Sequence, residues 1–136
     1  MEESPAPPRS ISVPISIGEL IDKISILEIK AERIVDQAKL RHVQAELGVL
    51  NEIKSAAGID QPDMQPFAEQ LKSINTELWD IENEIRELEA RQDFGKRYIA
   101  LARKVYLTND RRARIKQKIS LAYNSAIIEE KSYTDF

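Results

Sequence analysis

An all-α fold follows from three features of the sequence. Of its 136 residues, 42% are hydrophobic and 32% charged, with only four glycines, a balance that suits amphipathic helices laced with surface ion pairs better than a sandwich or barrel. Phe67, Leu71, Ile74, Leu78, Ile81, Ile85 and Leu88 recur at spacings of four and three in an unbroken heptad-like series. Period-two alternation is found in one short stretch, ISVPISI at 11–17. The expected architecture is a helical bundle or a long antiparallel helical hairpin with coiled-coil-like packing and an extended N-terminal arm. One domain suits the length, with residues 1–10 as a disordered tail and 11–136 as a single helical domain.

The tail, MEESPAPPRS, has three prolines among Ser, Glu and Ala and offers nothing to bury. In ISVPISI, Ile11, Val13, Ile15 and Ile17 share one face, and Pro14 restricts the segment to an edge or an arm docked on the helices. Ser16 followed by Glu19 has the form of a capping box, so the first helix should start there. Its main stripe is Leu20, Ile24, Leu27, Ala31 and Ile34, widened by Ile17, Ile21 and Val35. Ile26 and Ile29 lie about 140–200° away, so this helix has two apolar faces and belongs inside a bundle.

Asp36 can cap a second helix running to about Ala57 with Leu40, Val43, Leu47, Leu50 and Ile53 inward, although one bent helix over 16–57 fits the pattern too. GIDQPDMQP at 58–66 is the clearest break, and the heptad helix follows it. DFG at 93–95 ends or kinks that helix. Phe94, Tyr98, Leu101 and Val105 then mark a shorter helix, and Thr108, Asn109 and Asp110 are N-cap candidates for a last one carrying Ile115, Ile119, Ala122 and Ala126. The tail EEKSYTDF has no period.

Several chemistries are excluded. There is no cysteine, and His42 is the only histidine, with no E-x-x-H anywhere, so neither a metal site nor a cofactor is expected. The N-terminus lacks the basic start and apolar run of a secretory signal, and no stretch approaches the roughly 20 apolar residues of a membrane span, so a cytoplasmic protein is expected.

Charge is unevenly spread. Residues 1–93 carry 10 Lys and Arg against 19 Asp and Glu, whereas residues 94–136 carry 10 against 4. Five of the eight residues from Arg111 to Lys118 in NDRRARIKQK are basic. On a helix, Arg111, Arg112, Arg114, Lys116 and Lys118 flank the seam of Ile115 and Ile119, and the far side, Ala113, Gln117 and Ser120, is small and uncharged. Seam-flanking ion pairs with Glu77, Glu82, Glu84 and Glu89 of the heptad helix are one reading; a phosphate or carboxylate ligand and a nucleic acid are the others. The candidate ligand or partner residues are Asn109, Asp110, Arg111, Arg112, Arg114, Lys116 and Lys118. Tyr98, Tyr106 and Tyr123 in the same third of the chain read as packing residues.

Glu28 falls at the edge of the first helix's apolar stripe. It is the one catalytic candidate, a general acid or base facing a C-terminal cation; a buried or rim salt bridge is the alternative. Asp22 shares the second packed face with Ile26 and Ile29, and Lys23 points to solvent.

VPISIGELIDKISILEIKAERI, VYLTNDRRARIKQKI and the closing IIEEKSY resemble a small bacterial family of unknown function. The resemblance covers both ends of the chain and brings no activity or catalytic residue. IDKIS followed by AER is also similar to the first helix of all-helical chorismate mutases, which would imply a small enzyme; Gly18 and Glu19 stand where that family has an arginine, and Arg33 follows Lys23 several residues early.

The expected function is a non-enzymatic interaction or accessory protein, self-associating as a homodimer or binding a helical protein partner, with the basic C-terminal region as its recognition face. An anionic-ligand-binding or enzymatic bundle and a nucleic-acid binder are the alternatives.

Overall fold

The computed structural model describes residues 5–136. Four α-helices, α1 (Ile17–Arg33), α2 (Gln37–Ala56), α3 (Gln65–Ala90) and α4 (Lys96–Ala122), are joined by short connections, one of them a 3₁₀ turn at Pro62–Met64, and no strand occurs among the described residues. α3 and α4 form a long antiparallel hairpin, and α1 lies against both of them and against α2. Such contact on several sides is what the two apolar faces of α1 require: Leu20, Ile24 and Leu27 are buried on one, Ile29 on the other.

Each helix begins and ends where local chemistry dictates. Asp36 caps α2 by accepting from the Lys39 backbone N–H, which settles 16–57 as two helices. Gly58 takes a left-handed φ of 68° after α2, a conformation most side chains resist, and Pro62 opens the turn that leads into α3. Beyond Ala90, Gln92 also turns left-handed, and Gly95 starts α4.

Two cores result. The larger gathers Leu20, Ile21, Ile24, Ile59, Met64, Leu71 and Ile119 where α1 meets the hairpin. The smaller, Ile81, Leu88 and Leu101 with Ile85, Tyr98 and Val105 around it, holds α3 and α4 together at the end of the hairpin next to their connection. The heptad series of α3 thus serves both.

The structure differs from the expectations at several points. α4 is one uninterrupted helix: Thr108, Asn109 and Asp110 all lie within it, and Thr108 is buried. The seam Tyr98, Leu101, Val105, Thr108, Arg112, Ile115, Ile119 keeps spacings of three and four throughout, so packing holds the polar triplet helical where its local preference is to cap. Ala126 lies beyond α4, and Phe94 is half-exposed, meeting the Tyr98 ring edge-on at 5.3 Å. Ile11 and Val13 are exposed, so the arm docks only from Ser16 onward. Val35, in the connection before α2, and Ile53 on α2 face solvent, because α2 packs mainly against α1. Of the expected tail, residues 1–4 lie outside the described residues, and 5–10 are exposed without regular structure.

Tyr123, just past α4, packs against the larger core and donates its phenol to Asp63 at 2.6 Å. Loss of hydration and this bond to a carboxylate push the phenol up to about 12. The folded value exceeds the unfolded value of about 10, so its contribution to stability is complete below pH 10 and is lost as pH rises towards 12. Spectrophotometric titration is expected to show a last tyrosine step near pH 12, and Tyr123→Phe should remove it. A last step that survives the substitution would refute the assignment.

Candidate functional site

The start of α1 is built against the end of α4. A helix start exposes backbone donors, and three serines satisfy those of Ile17, Gly18 and Glu19. Ile17 N–H donates to Ser125 Oγ at 3.1 Å, Gly18 N–H to Ser120 Oγ at 2.9 Å and Glu19 N–H to Ser16 Oγ at 3.0 Å. The Ser16 half of the capping box therefore forms. The Glu19 carboxylate instead reaches across to Lys116. The contact needs a glycine: a Cβ on Gly18 would overlap the Lys116 carbonyl oxygen and lie 2.8 Å from its carbon. On the small, uncharged side of the basic helix, Ser120 is thus packed against α1 and buried, and Ala113 and Gln117 are half-buried.

One turn further on, Asp22 is fully buried. Arg112 meets it bidentately, Nε to Oδ1 at 2.9 Å and Nη2 to Oδ2. Asn75 Nδ2 donates to the same Oδ1 at 2.9 Å and to Ser25 Oγ at 2.8 Å, while the Ser25 hydroxyl donates to the Asp22 carbonyl at 2.7 Å. A buried carboxylate requires such full coordination. The hydrogen bond to Asp22 raises the Arg112 pKa, opposed by partial burial, so this guanidinium stays charged at any working pH.

Lys116 completes the cluster. Besides Glu19 it lies 3.9 Å from Asp22 Oδ2 and 3.7 Å from Glu129 Oε2, and Glu129 accepts from the Ser16 hydroxyl at 2.7 Å. The segment after α4 is thereby tied to the start of α1.

The basic stretch is split by these contacts. Arg112 and Lys116 point inward to α1, whereas Arg111 pairs with Glu77 of α3 at 3.2 Å. Arg114 and Lys118 have no ion-pair partner among the described residues, and with Arg111 they line a groove of about 270 Å³ beside Gln70 and Ser73. Asn109 and Asp110 lie a turn earlier, half-buried. Of the acidic partners expected on α3, Glu77 takes Arg111, and Glu84 takes Arg97 at 2.6 and 2.8 Å. Glu82 pairs within its own helix with Arg86 at 2.7 Å.

Glu28 does not face the C-terminal cations. Its carboxylate is exposed at the rim, 3.8 Å from Lys72, which also holds Glu32 at 2.5 Å. The hydrogen bond to Glu32 keeps the Lys72 pKa above its ordinary value. Glu28 sits at a boundary of the stripe where α3 brings a lysine, so its contact is a rim salt bridge. Lys23 is exposed, as expected, and His42 is exposed too. Among the described residues no group of His, Asp and Glu is placed to hold a metal ion, and no helix is long and apolar enough to cross a membrane.

The residues that sequence reasoning undervalued are Gly18, Asp22, Asn75, Ser120 and Glu129. Two signals pointed to them: Asp22 falls on an apolar face, and the small side of α4 permits close helix contact.

No curated protein and no solved structure matches the chain significantly. A family model described as a family of unknown function (DUF6165) matches residues 11–135, and the chain belongs to that family.

Proposed function

We propose that the protein is a non-enzymatic helical recognition protein that takes an acidic partner segment on the groove between α3 and α4. The observation that carries this reading is the division of NDRRARIKQK. Once Asp22, Glu19 and Glu129 have neutralised Arg112 and Lys116, the cations left facing outward are Arg114 and Lys118, with Arg111 held only by an exposed pairing. From Arg111 to Lys118 the helix rises about 10 Å, the length of a few extended residues. Gln70 and Ser73 add neutral hydrogen-bonding groups from α3. Acidic side chains would find charge there whose neutralisation costs little desolvation.

Pairwise neutralisation also favours binding over catalysis. Asp22 with Arg112, Glu19 with Lys116 and Glu28 with Lys72 are each held in a pair rather than left free to act as an acid or base. A protein partner is favoured over nucleic acid because no aromatic ring lines the groove: Tyr106 meets Phe136 and Tyr123 bonds Asp63. Self-association belongs to the same reading. It is supported by Ile99, Tyr106 and Leu107, exposed on α4 at the end of the hairpin that α1 does not cover.

Fluorescence anisotropy with a labelled oligoglutamate peptide tests the groove. Binding should weaken as salt rises, and the double variant Arg114→Ala, Lys118→Ala should lose about tenfold in affinity, roughly 1.4 kcal/mol. Unchanged affinity in that variant, or no salt-sensitive binding by the wild type, would count against this reading.

A further inference from the structure

A second cavity, of about 410 Å³, opens between α1, α3 and α4, in the size range of small-molecule sites. Its walls are apolar and partly flat: Ile26 and Ile29 from α1, Leu78 and Trp79 from α3. Its polar groups are more informative. Asn75 is nine-tenths buried, and both hydrogens of its Nδ2 are committed, one to Asp22 Oδ1 and one to Ser25 Oγ. That assignment is forced, since a carboxylate only accepts and the Ser25 hydroxyl already donates elsewhere. The Asn75 Oδ1 acceptor therefore has no partner among the described residues, yet no buried side-chain polar atom is left unsatisfied, so this oxygen opens on the cavity that Asn75 lines.

Arg112 lines the same cavity and commits Nε and Nη2 to Asp22, which leaves the Nη1 donors unpartnered among the described residues. Asn75 and Arg112 both bond Asp22 Oδ1 at 2.9 Å, so one carboxylate anchors the two side chains that bring a free acceptor and a free donor to this cavity. An amide edge complements this pair, its N–H donating to Asn75 and its carbonyl accepting from Arg112. The charge balance selects against ions: Asp22 neutralises Arg112, and Glu82 neutralises Arg86 at the rim. A carboxylate entering here would be desolvated without a net counter-charge.

We propose that this cavity binds an uncharged flat ring carrying an amide or lactam edge, stacked against Trp79. The inference does not depend on the acidic-partner groove, which is lined by Arg111, Arg114 and Lys118 rather than by Arg112.

Trp79 is the chain's one tryptophan, so its emission reports on this cavity alone. Titration with benzamide is expected to change that emission saturably in the millimolar range, as befits so small a ligand. Benzoate, the same ring with a charged head, should bind at least about tenfold more weakly. Arg112→Lys keeps a cation for Asp22 but removes the free donor, and benzamide affinity should fall about tenfold. Should that variant not fold, Ile26→Phe, which fills the cavity from its partly exposed wall, decides: saturation should disappear. Linear quenching without saturation, benzoate binding as tightly as benzamide, or saturable binding retained by Ile26→Phe would each overturn the proposal.

Discussion

Arg112→Ala is expected to lower the unfolding free energy by about 3 kcal/mol, a large share of the roughly 5–15 kcal/mol typical of a domain. The loss comes less from the bonds removed than from the charge left behind. Asp22 is fully buried, and without Arg112 its remaining polar partners are the Asn75 amide and Lys116 at 3.9 Å. Arg112 is itself partly exposed, which places the expected loss at the lower end of the range for broken buried pairs. Adding Asp22→Asn to this variant should restore part of the stability, because a neutral carboxamide no longer needs the cation. The measurement is a urea unfolding series on the two single variants and the double. Equal losses that simply add would show that the two side chains do not act as a unit.

Gly18→Ala should cost a comparable amount. Alanine is the better helix former by about 1 kcal/mol, so propensity alone predicts stabilisation. Sterics oppose it and win. The added methyl meets backbone, the Lys116 carbonyl, and comes within 2.9 Å of Ser120 Oγ, so α1 and α4 must separate. Separation also weakens the Gly18 N–H to Ser120 bond and the Glu19–Lys116 pairing. Overpacking of this kind costs about 1–3 kcal/mol, to which the disturbed polar contacts add. Circular dichroism melts of Gly18→Ala and Ser120→Ala distinguish the contributions: Ser120→Ala loses the hydrogen bond without the clash and should fall less. A Gly18→Ala protein as stable as the wild type would mean that the helices do not approach this closely.

Most of the helices could be read from periodicity because apolar residues at spacings of three and four carry their own instruction. The boundary wrongly expected at Thr108 to Asp110 shows the limit. Capping residues declare a preference, but that preference is worth about 1 kcal/mol and yields to a seam continuous from Tyr98 to Ile119. Arg112 looked like one cation among five for a related reason. Its role depends on Asp22, ninety positions earlier, and helical spacing contains no record of which faces meet. Asp22 itself was placed correctly on a packed face, yet its partner could not be named. Glu28 meets Lys72 rather than a C-terminal cation, a partner that a wheel angle near the stripe could not name. Ile11 and Val13 alternate as a docked arm should, but docking also requires a receiving surface, and none covers them.

The division of the basic stretch into inward and outward cations is tested most directly by urea unfolding of Arg112→Ala beside the double variant Arg114→Ala, Lys118→Ala. A midpoint shifted well down is expected for the first, and a stability within about 0.5 kcal/mol of the wild type for the second, whose side chains have no ion-pair partner among the described residues. A double variant that loses as much as Arg112→Ala, or an Arg112→Ala protein that loses nothing, would contradict that division.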